Sequence, residues 1–148
     1  PPAVVGAMMA TMSLATAATS SQRGFVAKRL SIRATLTLAF VLYAAALALI
    51  PLMPMLWLVP LATLTYGVAQ GLTIPTLQSQ IAGRAPTELR AATVAANAMA
   101  IRLGQTIGPL LGGAMFALAG IDGVFWAAAA VPLLMLATLW ARHDGQDI

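Results

Sequence analysis

The sequence has no cysteine and very few charged residues, and each shortage removes classes of function. Without cysteine among its 148 residues, the chain has no disulfide and no thiolate for catalysis or metal binding. Only 8% of the residues are charged, whereas soluble domains usually carry about 25%. Hydrophobic residues make up 60% of the chain, which is more than a soluble core of this size can bury. The composition therefore predicts that lipid surrounds this protein.

Long stretches without any charged residue identify the membrane-spanning segments. Residues 1–22, 34–83, 103–121 and 123–141 contain no Asp, Glu, Lys or Arg. A spanning helix needs about 20 apolar residues, so the longest stretch is two spans, which Pro51 and Pro54 separate. The stretches are continuously apolar and do not alternate, which favours helices over a β-barrel. We predict an all-α polytopic membrane bundle of about five transmembrane helices, at roughly 3–22, 34–52, 55–81, 91–118 and 122–141.

The basic residues lie on one side of this arrangement. Seven of the eight Lys and Arg residues fall in the first loop, the third loop or the C-terminal tail, and the other two loops have none. Basic loops face the cytoplasm. The chain is therefore predicted to start outside, cross five times and end with a cytoplasmic C-terminus, and the odd number of spans predicts further helices before residue 1. The net charge of +4 reflects this orientation, and no nucleic acid is expected as a partner.

Glycines four residues apart mark one face of the fourth predicted span. Gly104, Gly108 and Gly112 share that face, and Gly113 follows the last of them. Glycine permits close approach to a neighbouring helix, while Pro109 removes one backbone hydrogen bond and predicts a kink. Two interpretations stay open: a tight packing seam, or a hinge where two helix bundles move against each other.

The same span carries Arg102, with Asn97 and Gln105 nearby on the helical wheel. An arginine at the centre of a span costs roughly 2.5–3.5 kcal/mol on insertion scales. Arg102 therefore faces a cavity or a partner, or its long side chain reaches the interface. Contact with a cavity or a partner is the preferred interpretation.

A polar stripe runs along the third predicted span. Its members recur at helical spacing: Thr63, Tyr66, Gln70 and Thr73. The stripe predicts either a wet surface or hydrogen bonds between helices. Thr11, Ser13 and Thr16 of the first span are weaker candidates, because such hydroxyls can bond their own helix backbone.

No catalytic or metal-binding set can be assembled from the sequence. His143 is the only histidine and lies in the tail, and no Asp or Glu lies deep in a predicted span. We therefore predict that the chain is not an enzyme and that it holds no metal and no cofactor. A proton-coupled transporter needs a titratable group in its pathway, and here that group would lie in helices outside this chain.

With its loops and spans in this order, the chain resembles the major facilitator superfamily, particularly its drug:proton antiporter-like bacterial exporters. Residues 24–33 resemble the family's loop pattern Gly-x-Leu-Ala-Asp-Arg-x-Gly-Arg-Arg; Gly24, Arg29 and Arg33 fit it, whereas Lys28 replaces the aspartate. Residues 71–86 resemble the family's tenth helix and its exit loop. Residues 104–113 fit the pattern Gly-x-x-x-Gly-Pro-x-x-Gly-Gly that antiporters carry.

The resemblance implies a place within a twelve-helix transporter that works by alternating access. Because the two halves of such transporters are related repeats, the chain is either helices two to six or helices eight to twelve. The degraded loop pattern and the lack of arginine in the third span favour eight to twelve. The resemblance also implies that five side chains line the substrate cavity: Tyr66, Gln70, Asn97, Arg102 and Gln105.

Secondary transport, in the form of efflux of small organic or amphipathic compounds, is the function that this resemblance implies. The expected partners are the lipid bilayer, the remaining helices of the transporter, a small-molecule substrate and protons, and the expected location is a bacterial inner membrane. The alternative function is a non-transporting membrane scaffold or a truncated remnant of a transporter.

Overall fold

The described part of the chain is built from helices alone. A computed structural model describes residues 2–52 and 59–141, and within them it has no strand. The elements in chain order are α1 Pro2–Ser21, α2 Arg23–Arg29, α3 Ile32–Leu52, α4 Val59–Arg84, a 3₁₀ turn at Thr87–Leu89, and α5 Arg90–Ala141. The predicted all-α bundle is confirmed.

Three stretches of the described residues are long and apolar enough to cross a membrane: Val4–Ser21, Ile32–Leu52 and Thr87–Ala141. The last has 55 residues, more than twice the roughly 20 that one crossing needs. α4 is not among the three, because its glycines, threonines and glutamines lower its mean hydropathy. Such a helix is better suited to contact with other helices than to full exposure to lipid.

α5 consists of two helices that meet at a kink, in the region where the sequence predicts a break between spans at 91–118 and 122–141. It runs through 52 residues and contains a single non-helical residue, Gly120, at φ 67° and ψ −168°. A positive φ is accessible to glycine at little cost, whereas other residues rarely adopt it. Gly120 therefore divides α5 into a first segment, residues 90–119, and a second segment, residues 121–141.

Helical residues extend into both of the loops that the sequence predicts before α4. Residues 23–29, predicted as loop, form α2, which ends where Leu30 becomes extended. Ser31 then caps α3, because its hydroxyl accepts the Ala34 N–H at 3.1 Å. In the next loop Pro51 belongs to the last turn of α3, and Pro54 lies outside the described residues.

α4 is the central helix of the bundle. It packs against α1 and α3, and α3 in turn packs against α5, chiefly through the second segment of α5. The buried apolar residues are mostly alanines: Ala39, Ala44 and Ala46 of α3, Ala62 and Ala69 of α4, and Ala129 of α5. The first segment of α5 is largely exposed, as Leu110 and Leu118 show at 70% and 82% exposure.

Two glycines of α4 let α1 come unusually close. A Cβ at Gly67 would lie 2.5 Å from the Met12 carbonyl oxygen, and one at Gly71 would lie 2.7 Å from the Thr19 Cβ. Contacts this short are not tolerated between real side-chain and backbone atoms, so a larger residue would push α1 away. The close helix contact therefore falls at Gly67 and Gly71, in the third predicted span.

Candidate substrate cavity

Tyr66 lies between α4 and α3. Its ring is half-buried and meets the Tyr43 ring edge to face, with centroids 4.8 Å apart and an interplanar angle of 69°. Such aromatic pairs stabilise a contact beyond the area that they bury. Tyr66 is therefore held against α3 by a residue, Tyr43, that the sequence analysis did not single out.

Gln70 takes part in a polar contact between α4 and α1. The Thr16 hydroxyl lies 3.3 Å from the Gln70 Oε1, 3.0 Å from the Gly67 carbonyl oxygen and 2.9 Å from the Met12 carbonyl oxygen. A hydroxyl has a single proton, so Thr16 donates to one of these oxygens at a time. One turn further along α1, the Ser20 hydroxyl donates to the Gly71 carbonyl oxygen at 3.3 Å.

The other hydroxyls of the stripe donate hydrogen bonds to backbone carbonyl oxygens of their own helix. Thr63 donates to the Pro60 carbonyl oxygen at 2.9 Å, and the buried Thr73 donates to that of Ala69 at 2.8 Å. The hydroxyl of Thr11 in α1 likewise donates to the Ala7 carbonyl oxygen at 2.8 Å. Of the two interpretations of the stripe, interhelical hydrogen bonding describes Gln70, and own-backbone bonding describes the threonines.

Arg102, Asn97 and Gln105 lie on the first segment of α5, away from the stripe. Asn97 is half-buried, whereas Arg102 and Gln105 are exposed. Among the described residues no side-chain hydrogen bond joins these three to Tyr66 or Gln70. The structure thus holds the five predicted cavity residues as two groups, one inside the bundle and one on the exposed segment.

The glycine face of the first segment has no neighbour among the described residues. A Cβ added at Gly104, Gly108, Gly112 or Gly113 would meet nothing within 4 Å. Pro109 lies within the helix, and the residue of α5 that leaves helical geometry is Gly120. Whether the glycine face is a seam or a hinge stays a prediction, since its counterpart is not in the described residues.

The loop-motif residues lie at one end of the bundle. This end, which we call the basic end, is formed by α2 and the ends of the helices next to it. Gly24 and Arg29 belong to α2, and Arg33 belongs to the first turn of α3. The Arg29 guanidinium lies over the Phe25 ring, 4.9 Å from its centroid, as in a cation–π contact. A cavity of about 80 Å³ lies under α2 and is bounded by Thr19, Thr35 and Ser79 among others.

Metal chemistry has no visible basis in residues 2–52 and 59–141. No group of three His, Cys, Asp or Glu side chains within that part of the chain is placed to hold an ion. The side chains inside the bundle that can form hydrogen bonds are hydroxyls, an amide and the phenol groups of two tyrosines. They can form hydrogen bonds with a solute or with other helices.

Some of these contacts were detectable in the sequence. Thr16 and Ser20 are four residues apart on α1, and Gly67 and Gly71 are four residues apart on α4, so each pair shares one helix face. A pair of hydroxyls opposite a pair of glycines is the pattern that predicts this seam. Tyr43 has no comparable signal, because its pairing with Tyr66 depends on how α3 is rotated.

Comparison with known proteins identifies the family. The Major Facilitator Superfamily matches residues 1–147. "Probable anion transporter 5" of Arabidopsis thaliana is 30% identical over 139 residues, which is 93% of this chain and 32% of that protein. "Probable anion transporter 6" of Oryza sativa subsp. japonica is 34% identical over 118 residues, or 79% of this chain and 26% of that protein.

The chain thus spans about a third or less of the length of these curated relatives. No solved structure matches it significantly. Both relatives are named as transporters, and neither is named as an enzyme. Because the family matches nearly every residue, the chain belongs to the major facilitator superfamily.

Proposed function

We propose that this chain forms part of a secondary transporter that moves small anions across a membrane by alternating access. Arg102 is the observation that carries the choice of anions. It lies within a segment, residues 91–121, that contains no Asp or Glu, so no acidic neighbour on that segment neutralises it. An arginine within a membrane-spanning segment marks a substrate or ion pathway more often than a lipid contact, and the two relatives are both named as probable anion transporters.

The two groups of polar residues support a cavity that closes when helices of the complete transporter surround α5. Tyr66 and Gln70 would supply hydrogen bonds from one wall, and Arg102, Asn97 and Gln105 would supply charge and amide groups from the other. The glycine face at Gly104, Gly108 and Gly112 would be the surface against which a further helix packs. On this proposal the chain supplies helices eight to twelve of twelve.

Export is the proposed direction, and the basic end is proposed to be cytoplasmic. The pattern at 104–113, which resembles that of antiporters, supports export. The loops that carry Lys28, Arg29, Arg33 and Arg84 support the orientation, because basic loops stay on the cytoplasmic side. A proton-coupling group would belong to helices beyond this chain.

Transport assays on the full-length protein in proteoliposomes test the proposal. Uptake of radiolabelled inorganic phosphate, sulfate and benzoate is compared with movement of the cation ethidium. We expect one or more of the anions to be carried and Arg102→Ala to reduce that transport about tenfold, the loss typical of a charged hydrogen bond. Arg102→Lys should retain part of it.

Arg84→Ala is the matched control, because it removes a basic residue at the basic end and should leave transport unchanged. Equal amounts of each variant in the membrane fraction establish that insertion is intact. Transport of ethidium without any anion would instead support the export of amphipathic compounds. Full anion transport by Arg102→Ala would remove Arg102 from the mechanism.

A further inference from the structure

A groove runs along the surface of the bundle where α3 meets the second segment of α5. It consists of two adjoining depressions, of about 470 Å³ and 510 Å³, that share Val41. The first is bounded by Arg33, Leu38 and Trp140, and the second by Ala45, Ala48 and Trp126 among others. Small alanine side chains leave the space open, while a tryptophan stands at each end. The shape is that of a channel for one extended, apolar chain.

The length of the first depression matches one leaflet of a bilayer. Its lining on α3 begins at Ser31 and ends at Val41, a rise of about 15 Å at 1.5 Å per residue. The hydrocarbon core of a bilayer is about 30 Å thick, so half of it is about 15 Å. Trp140, 57% exposed at the mouth of the groove, belongs to a residue type that favours the membrane interface.

The mouth of the groove carries positive charge that no acidic residue in α1 to α4 can neutralise. Arg33 is half-buried in the groove wall, and Lys28 and Arg29 of α2 precede it in the chain by at most five residues. Residues 1–87 contain no Asp or Glu. Charge complementarity at this mouth therefore favours a phosphate group, which arginine binds well.

Taken together, the geometry points to a binding site for one anionic phospholipid from the leaflet at the basic end. We propose that its phosphate binds Arg33, with Lys28 and Arg29 nearby, and that one acyl chain lies over Leu38 and Val41. The lipid would cover the contact between α3 and α5 and hold the second segment in place. This site is separate from the cavity residues and does not depend on the identity of the transported solute.

Native mass spectrometry of the full-length protein tests the site by counting bound lipids. Dioleoyl phosphatidylglycerol and dioleoyl phosphatidylcholine are titrated separately into the detergent-solubilised protein. We expect phosphatidylglycerol to bind more tightly, and Arg33→Gln to weaken its binding about fivefold, the effect of one basic residue near an anionic surface. Arg84→Gln, a basic residue outside the groove, should leave the affinity unchanged.

A second pair of variants tests the acyl chain without altering charge. Ala34→Leu fills the first depression and should weaken phosphatidylglycerol binding, whereas Ala92→Leu on the exposed part of α5 should not. Unchanged elution volumes and circular dichroism spectra confirm that each variant is folded. Equal affinity for the two lipids, equal effects of Arg33→Gln and Arg84→Gln, or no effect of Ala34→Leu would each overturn the proposal.

The acidic tail residues offer a competing partner for Arg33 and need their own control. Asp144 and Asp147 follow Trp140 in the sequence and lie outside the described residues. If the lipid phosphate binds Arg33, the double variant Asp144→Asn/Asp147→Asn keeps the affinity for phosphatidylglycerol. A several-fold rise in that affinity would show that the tail carboxylates occupy Arg33 in the protein, which would also overturn the proposal.

Discussion

Single residues decide how closely α1 and α4 approach each other. Gly67 and Gly71 remove the side chains that would separate the helices, and the hydroxyls of Thr16 and Ser20 then reach backbone carbonyl oxygens across the gap. Hydrogen bonds of this kind average about 0.6 kcal/mol each in membrane proteins. Because that is small, van der Waals contact along the glycines makes the larger contribution to this seam.

Replacing either glycine of the seam should destabilise the protein. Gly67→Ala or Gly71→Ala would place a methyl group within 3 Å of α1 atoms, so one helix must shift. Overpacking of this kind usually costs about 1–3 kcal/mol. The free energy of unfolding, measured by titrating a denaturing detergent into the micelle-bound protein, should fall by that amount.

Gly83→Ala is the matched control on the same helix, because a Cβ there meets nothing within 4 Å. Alanine has the higher helix propensity, so Gly83→Ala should leave stability equal or slightly raised. A similar loss for all three variants would mean that the glycines act through backbone flexibility and not through close contact.

Among the elements, the long helices were predictable from the sequence, whereas the short helix α2 and the exact position of the break in α5 were not. The absence of charge in residues 1–22 and 34–83 is enough to predict α1, α3 and α4, because apolar stretches of that length have few other structures available in lipid. α2 has only seven residues, too few for a periodic pattern. The sequence near Asp122 indicates a break, but not that a single residue, Gly120, makes it.

For the cavity residues too, the sequence predicts which side chains share a helix face but not which residues they contact. The spacing of Tyr66 and Gln70 predicted a shared face on α4, and both do lie inside the bundle. Their partners, Tyr43 and Thr16, depend on the rotation and tilt of α3 and α1. Rotation is set by packing, and a helical wheel drawn for one segment contains no information about its neighbour.

The kink in α5 should depend on glycine at position 120. The Gly120 backbone, at φ 67° and ψ −168°, lies in a region that is essentially restricted to glycine and costs other residues about 1–3 kcal/mol, so Gly120→Ala should shift the relative orientation of the two segments of α5. Spin labels at Leu103 and Leu134, both largely exposed, report the distance between the segments by pulsed electron resonance. These 148 residues contain no cysteine, so no native thiol among them competes for the label with the two introduced ones.

We expect the distance distribution to move or broaden in Gly120→Ala and to stay unchanged in Gly113→Ala. Gly113 also lies in α5, but it has helical geometry and open space around its Cα. If the two variants gave the same distribution as the unsubstituted protein, the kink would not depend on the glycine.

At the scale of the whole molecule, the exposure of the first segment of α5 is consistent with the small share of the relatives' length that this chain covers. The chain corresponds to 32% and 26% of two curated transporters, and residues 98–111 are exposed throughout. Exposed leucines on a helix of this hydropathy can contact lipid, but exposed Arg102 and Gln105 are costly there. Further helices over this segment would give these polar groups a protein or aqueous environment.

The proposed orientation of the bundle in the membrane can be measured directly. Within the described residues, the basic residues outside the spans belong to α2, the first turn of α3 and the junction of α4 with α5, whereas the residues around the break in α5 carry only Asp122 among charged residues. A cysteine placed at Ala85 reports the basic end, and one placed at Ile121, which is 55% exposed, reports the opposite end. In intact cells an impermeant maleimide should label the cysteine at 121 and not the cysteine at 85, because loops rich in lysine and arginine remain in the cytoplasm.

Permeabilised cells should show labelling at both positions, which establishes that each thiol is reactive. The reverse pattern in intact cells would place the basic end outside and invert the proposed direction of transport.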